Sequence, residues 1–284
     1  MNLNLVTIIG AGTMGRGIAQ WFAQCGVRVE LTDANSEALQ TGLDLVHSSW
    51  KKLEQKGKFS ASEVSGFKEN LKAVALSELS TSSDLVIEAI IENLEIKHKV
   101  FLDLDKRMGP KTILASNTSS IPITELATPL SKDRKARFLG LHFFNPATIM
   151  KLVEVIKGSE TEQKLCDDLE AWFKEKGKKP AQCKDSPGFI VNRVARNFYG
   201  EALRIAEKRE YSEIDHVLKE VGGFRMGPFE LMDLIGIDIN YDVTCSVWQA
   251  FNKEERFAPH HLQKEMVDKK HLGRKTGQGF YPHE

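Results

Sequence analysis

Cysteine is scarce: Cys25, Cys166, Cys183 and Cys245 are the 4 in 284 residues, widely scattered and with no C-x-x-C pair. That spacing argues against a disulfide framework or a thiolate zinc site, and it predicts reduced thiols, a cytoplasmic protein and no metal. An excess of either charge is also missing, since Lys+Arg and Asp+Glu both number 39. No global field therefore draws the chain to nucleic acid or to an anionic membrane. Nothing approaches the ~18 consecutive apolar residues of a membrane span. The start, MNLNLVTIIG, lacks the charged segment and cleavage site of a signal peptide, and its apolar run reads as a first strand. Internal repeats, low-complexity linkers, H-E-x-x-H and G-x-S-x-G are all absent. What remains is an ordinary globular composition, 41% apolar and 27% charged, on a chain long enough for two domains.

The pattern G-x-G-x-x-G is present at Gly10, Gly12 and Gly15, and its meaning depends on its flanks. LVTII (5–9) is a continuous apolar run, as in a strand covered on both faces. After the glycines, Met14, Ile18, Trp21, Phe22 and Cys25 recur at helical spacing until Gly26 stops the helix. VRVELTD (27–33) then alternates like a second strand and ends in Asp33, about 18 positions beyond Gly15. Strand, helix and acid complete a βαβ unit in which the glycines let the backbone approach a pyrophosphate at the helix N-terminus. A tight turn with no ligand is the alternative. Asp33 accepts ribose hydroxyls but repels a 2′-phosphate, and no arginine follows it in DANSEA, so NAD is favoured over NADP.

Farther on, 36–56 reads as a long helix, DLVIEAI (84–90) as a buried strand, 93–108 as a helix and TILAS (112–116) as a strand ending in SNTSS. FLGLHFF (138–144) and MKLVEVI (150–156) are apolar segments separated by NPATI; a helix over 161–176 and a short strand near KKPAQC follow. From Pro187, read as a helix start, the pattern is helical and no buried strand run recurs. The expected fold is α/β: a Rossmann-type doubly wound sheet over 1–184, then a smaller all-helical domain over 185–284.

Ligands of open α/β sheets bind beyond the carboxyl ends of the strands. SNTSS (116–120) lies at such an end; it is either a cap and turn for the next helix or a ligand-facing cluster. His142 alone of the eight histidines sits inside an apolar run, and Glu154 is flanked by Leu152, Val153, Val155 and Ile156. A core histidine beside an unrelated surface glutamate is the bland reading. If the two segments pair across the NPAT turn, Glu154 holds the ring, sets its tautomer and leaves the other nitrogen to accept a proton. Oxidation of a secondary alcohol by NAD requires such a base. Asn192, in the first turn of the helix that opens the second domain, either caps it, faces water or points toward substrate. KKLEQKGK (51–58) is a solvated helix face or a patch for a phosphorylated substrate tail, and GRKTGQGF (273–280) fails the P-loop context and reads as a turn.

Six segments, GAGTMGRGIA, ASNTSS, GLHFFNPATIMKLVEV, DSPGFIVNR, GPFELMDLIGID and LGRKTGQGFY, span almost the whole chain. In these the chain resembles short-chain L-3-hydroxyacyl-CoA dehydrogenases, most closely the bacterial 3-hydroxybutyryl-CoA dehydrogenases. The resemblance implies reversible NAD-linked oxidation of an (S)-3-hydroxyacyl-CoA in fatty acid metabolism, by a homodimer joined through its helical domain. It implies His142 as acid/base with Glu154 orienting it, and Ser119 and Asn192 holding substrate oxygens. On the cofactor side it adds Thr13, Met14, Glu92, Lys97, Asn117 and Asn145 to Asp33 and the glycines, and it assigns coenzyme A to Lys52 and Lys56. Other readings are a dehydrogenase of a free hydroxy acid such as gulonate or carnitine, a 6-phosphogluconate-type enzyme (whose catalytic lysine helix is not found), and a non-catalytic NADH-binding protein.

Overall fold

In a computed structural model, which describes residues 1–283, the run LVTII forms β1 (Leu5–Ile9), with Val6, Thr7 and Ile8 fully buried. The chain divides into two units, Met1–Asp185 and Ser186–Glu284. Among the described residues of the first unit, a single sheet contains β1, β2 (Arg28–Thr32), β3 (Leu71–Ala73), β4 (Leu85–Glu88), β5 (Ile113–Ser116), β6 (Phe138–Phe143), β7 (Leu152–Lys157) and β8 (Lys179–Lys184). Its helices are α1 (Thr13–Gln24), α2 (Ser36–Gln55), α3 (Ala61–Asn70), α4 (Leu94–Arg107), α5 (Ile123–Leu126), α6 (Lys132–Lys135) and α7 (Gln163–Glu175).

The strand order is β3-β2-β1-β4-β5-β6-β7-β8. All neighbours from β3 to β6 are parallel, β7 runs antiparallel to β6, and β8 is parallel to β7. The connections run outward from β1 through β2 to β3, then resume on its other side at β4. That reversal opens a crevice at the carboxyl ends of β1 and β4, the place where open α/β sheets bind ligands.

α1 follows its apolar period. Ile18, Ala19, Trp21 and Phe22 are buried, and Trp21 stacks on Phe173 of α7 with centroids 5.7 Å apart. Phe143, at the end of β6, joins the same aromatic cluster. Burial of such rings is the main stabilisation available to this layer, roughly 1.5–3 kcal/mol for each fully buried large side chain. The α3–β3 segment was not foreseen from the sequence, because α3 buries only Val64 and β3 spans three residues.

Among the described residues, the second unit is helical: α8 (Val191–Ile205), α9 (Tyr211–Glu220), α10 (Pro228–Ile235), α11 (Ile237–Ala250) and α12 (His261–Asp268). Its core gathers Tyr199, Leu203, Phe229, Met232, Ile237 and Phe280. The helix expected from Pro187 starts at Val191 instead. Gly188 and Phe189 take φ of +69° and +49°, left-handed backbone that a right-handed helix cannot contain. GRKTGQGF forms the expected C-terminal turn. Buried Asp233 accepts the amides of Phe280 and Tyr281 at 2.9 and 3.0 Å and so pins the segment to α10.

Candidate active site

The three glycines have different tasks. Gly10, at φ +107°, turns the chain out of β1 and donates its amide to the Thr32 carbonyl at 2.8 Å. A Cβ on Gly15 would collide with the carbonyl oxygen of Gly10, so α1 packs hard against the loop. Gly12 has an ordinary φ of −65°, and a Cβ there would meet no protein atom within 4 Å. Neither backbone nor packing requires glycine at position 12; the bare space beside the α1 N-terminus is what a pyrophosphate would occupy. α1 begins with no side-chain cap and no acidic residue in its first turn, which leaves its orphan amides for an anion. Thr13 is exposed there, and Met14 packs partly into the core. Asp33, just past β2, accepts the Ala11 amide at 2.8 Å and the Asn35 amide at 2.9 Å, so its carboxylate stands beside the glycine loop.

The next strand ends carry a charge network. Glu88 is fully buried and accepts from Lys97 Nζ at 2.5 Å, Ser116 Oγ at 2.6 Å and the Ile90 amide at 2.8 Å. Lys97, 1% exposed, also lies 3.2 Å from Glu92 Oε2. Glu92 Oε1 in turn accepts from Thr118 Oγ1 at 2.5 Å, the Ser119 amide at 2.9 Å and the Ser120 amide at 3.1 Å. Burial alone would raise the Glu92 pKa; Lys97 and the donors of Thr118 and Ser119 outweigh it and hold the carboxyl below its ordinary range. SNTSS is thus folded around Glu92. Asn117 Oδ1 accepts the Phe143 amide at 2.8 Å and ties the end of β5 to β6.

His142 and Glu154 face each other across the antiparallel β6–β7 ladder. Nδ1 lies 2.6 Å from Glu154 Oε2, with the ring 7% exposed and the glutamate fully buried. A carboxylate can only accept, so the neutral ring carries its proton on Nδ1 and its lone pair on Nε2. Phe144 flanks the ring at 4.5 Å between centroids. Asn145 is exposed in the turn that follows. That turn is secured by Lys178, which donates to the carbonyls of Ala147 and Met150 and lies 4.7 Å from the centroid of Trp21. Burial pushes the Lys178 pKa down to about 8.

Lys52 and Lys56 are exposed at the last turn and C-cap of α2. Asn192 is the second residue of α8 in the helical unit. Two contributors were not singled out from the sequence, Glu88 and Lys178. A carboxylate inside the apolar run DLVIEAI was the available signal for Glu88; Lys178 sits in a lysine-rich stretch that looks solvated.

A family model described as "3-hydroxyacyl-CoA dehydrogenase, NAD binding domain" matches residues 5–186, and "3-hydroxyacyl-CoA dehydrogenase, C-terminal domain" matches residues 188–283. The chain is 43% identical over 287 residues to a 3-hydroxyadipyl-CoA dehydrogenase of Escherichia coli, covering 99% of itself but 59% of that protein's length. It is 42% identical over 297 residues to a mitochondrial hydroxyacyl-coenzyme A dehydrogenase of Rattus norvegicus, covering 98% and 91% of the two chains. The crystal structure of an (S)-3-hydroxybutyryl-CoA dehydrogenase from Ralstonia eutropha superposes with a TM-score of 0.92 at 37% identity, with both chains covered in full.

Proposed function

The chain belongs to the 3-hydroxyacyl-CoA dehydrogenase family, and from that premise we propose that it reversibly oxidises the C3 hydroxyl of a short (S)-3-hydroxyacyl thioester of coenzyme A, with NAD as cofactor. The observation that carries this reading is the 2.6 Å bond between His142 Nδ1 and Glu154 in a nearly dry setting. NAD, when bound, takes the hydride from C3 or returns it. His142 Nε2 takes the hydroxyl proton as the C3 oxygen becomes a carbonyl, and in the other direction the imidazolium gives it back. Glu154 holds the ring in the competent tautomer and offsets the charge it acquires. Ser119 and Asn192 hold the substrate oxygens.

Gly10, Gly12, Thr13, Met14 and Gly15 would cradle the pyrophosphate of NAD, and Asp33 a ribose of its adenosine half. Glu92, Lys97, Asn117 and Asn145 serve the nicotinamide side; since Lys97 is buried between two carboxylates, its part is to hold Glu92 in place. Lys52 and Lys56 would meet the phosphates of coenzyme A. The same reading makes the protein a cytoplasmic homodimer of fatty acid metabolism, associated through residues 185–284. Among the described residues, no helix is long and apolar enough to cross a membrane.

The test is NADH consumption by the purified chain with acetoacetyl-CoA beside free acetoacetate. Rapid oxidation with the thioester alone is the expected result. Turnover of the free acid at an equal or higher rate overturns the assignment to coenzyme A esters, and tight NADH binding without turnover of either points to a non-catalytic role.

A further inference from the structure

Lys178 stands between the end of α7 and the start of β8 and is only 6% exposed. Its ammonium donates to the carbonyl of Ala147 and, at 2.7 Å, to that of Met150, both in the turn between β6 and β7. The same Nζ lies 4.7 Å from the ring centroid of Trp21 on α1 and 5.8 Å from that of Phe143 at the end of β6. The turn, α1 and β6 thus meet at one cation. Next to it, the Lys179 amide donates to the Lys151 carbonyl at 2.8 Å and continues the grip along the backbone.

The turn has little else to order it. Ile149 is 72% and Met150 41% exposed, so these apolar side chains contribute little burial. Ala147 is buried and leans on α1 beside Gly17, where a Cβ would stand 3.6 Å from its own. A cation is costly to bury among neutral partners. In return it engages two carbonyls and an aromatic face at once, and charge-assisted hydrogen bonds are about twice as strong as neutral ones. The elements it joins carry different parts of the site. α1 presents the glycine loop at its N-terminus, and the turn opens with Asn145, next to the Phe144 that flanks the His142 ring.

We propose that Lys178 is a positioning residue: by fixing the turn after β6 to α1, it holds Asn145 and the His142–Glu154 pair at a set separation from a dinucleotide seated on the glycine loop. This rests on the reading above, in which NAD binds at that loop and His142 is the base. Lys178 acts through the turn and α1, not on substrate. Hydride transfer is steep in the placement of the reacting groups, and a displacement of about 1 Å far from the chemistry can cost on the order of 10²-fold.

The experiment measures kcat with acetoacetyl-CoA and NADH for Lys178→Met, per NADH-binding site counted by fluorescence titration, so that unfolded chains drop out. Methionine keeps an apolar stem against Trp21 but donates nothing to the two carbonyls. The kcat per site should fall by roughly tenfold or more while the Kd of NADH changes by less than about threefold, because the glycine loop is left as it was. Wild-type kcat per site, or a loss confined to NADH affinity, overturns the inference while the dehydrogenase reading stands. A wild-type chain that turns over no thioester overturns both.

If Lys178→Met folds too poorly to bind NADH, the wild-type chain carries the test in the direction of alcohol oxidation, with (S)-3-hydroxybutyryl-CoA and NAD. Burial pushes the Lys178 pKa down to about 8, whereas a base at His142 stays competent at alkaline pH. The ionisable groups beside Lys178 are Cys25 of α1, a thiol that burial pushes up to about 11, and Lys176 at the end of α7, which is a like charge. The turn and β6 present carbonyls and the Phe143 ring. As the ammonium loses its proton the clamp weakens, and kcat should decline by roughly threefold or more from about pH 7.5 to about pH 9.5. A level kcat over that range overturns the inference.

Discussion

Glu154 stands directly opposite His142 in the β6–β7 ladder, and its Oε2 meets His142 Nδ1 at 2.6 Å. Because Glu154 is fully buried, little water competes for either group, and a carboxylate that can only accept fixes which ring nitrogen of the neutral imidazole carries the proton.

Replacing the base should separate chemistry from binding. His142→Gln is expected to lower kcat by roughly 10²–10⁴ while NADH binding, followed by fluorescence titration, survives. Wild-type turnover in that variant would remove His142 from the mechanism.

The carboxylate is tested by an isosteric change. Glu154→Gln keeps the shape but can present its NH₂ to Nδ1, which then carries the lone pair and turns the wrong tautomer toward substrate. A loss of roughly 10²–10⁴ in kcat is expected, by analogy with the Asp→Asn change in a serine-protease triad. A loss below threefold would mean that the ring keeps its tautomer without Glu154.

The two inner glycines should respond in opposite ways. Gly12→Ala meets no protein atom but puts a poor N-cap residue on α1, so its stability should fall only slightly, by on the order of 1 kcal/mol, while NADH affinity falls at least tenfold. Gly15→Ala drives a methyl into the Gly10 carbonyl and should lower the melting temperature clearly. Full NADH affinity in Gly12→Ala would show that no phosphate lies over that position.

Cofactor choice follows from Asp33, whose carboxylate stands beside the glycine loop. A strong preference for NADH over NADPH is expected, and equal kcat/KM for the two would rule out Asp33 as the ribose-side discriminator.

Lys97 should matter for stability, and in a pH-dependent way. Lys97→Met leaves Glu88 and Glu92 without their shared cation, a loss of about 3–5 kcal/mol at pH 7 in urea unfolding. The native Glu92 pKa lies below the ordinary carboxylate value, so its stabilising contribution is present above the unfolded pKa and is lost as pH falls through the folded one. The gap between variant and wild type should therefore narrow toward acid pH. A gap that widens on acidification contradicts the pairing.

Much of this architecture was readable in the chain because local signals agreed. LVTII, the glycines and the period of α1 point the same way, and β4 to β6 are short apolar runs bounded by polar turns. His142 was visible as a polar residue in an apolar strand. Other features depend on contacts between distant segments. Lys97 carries no mark in IENLEIK that it is buried; Glu88, nine positions earlier, and Ser116 make it so. Arg196 looks like any charged residue on an amphipathic helix until Asn240 and Thr244 of α11 close around it. The start of α8 was misjudged because Pro187 favours a helix start, whereas the φ values of Gly188 and Phe189 are set by the local fold.

The reversal of direction at β7 has a bearing on how this scaffold can be altered. Side chains alternate along a strand, so sliding β7 by one position would turn residue 154 to the opposite face of the sheet. The turn over 144–151 is bound to that ladder as well, since Ala147 is buried and Lys178 holds the carbonyls of Ala147 and Met150. In a hairpin the length of the turn helps to fix the register, so an insertion there would be felt at residue 154. The hairpin behaves as one casting: the pairing of 142 with 154 and the turn beyond it can only be recast together.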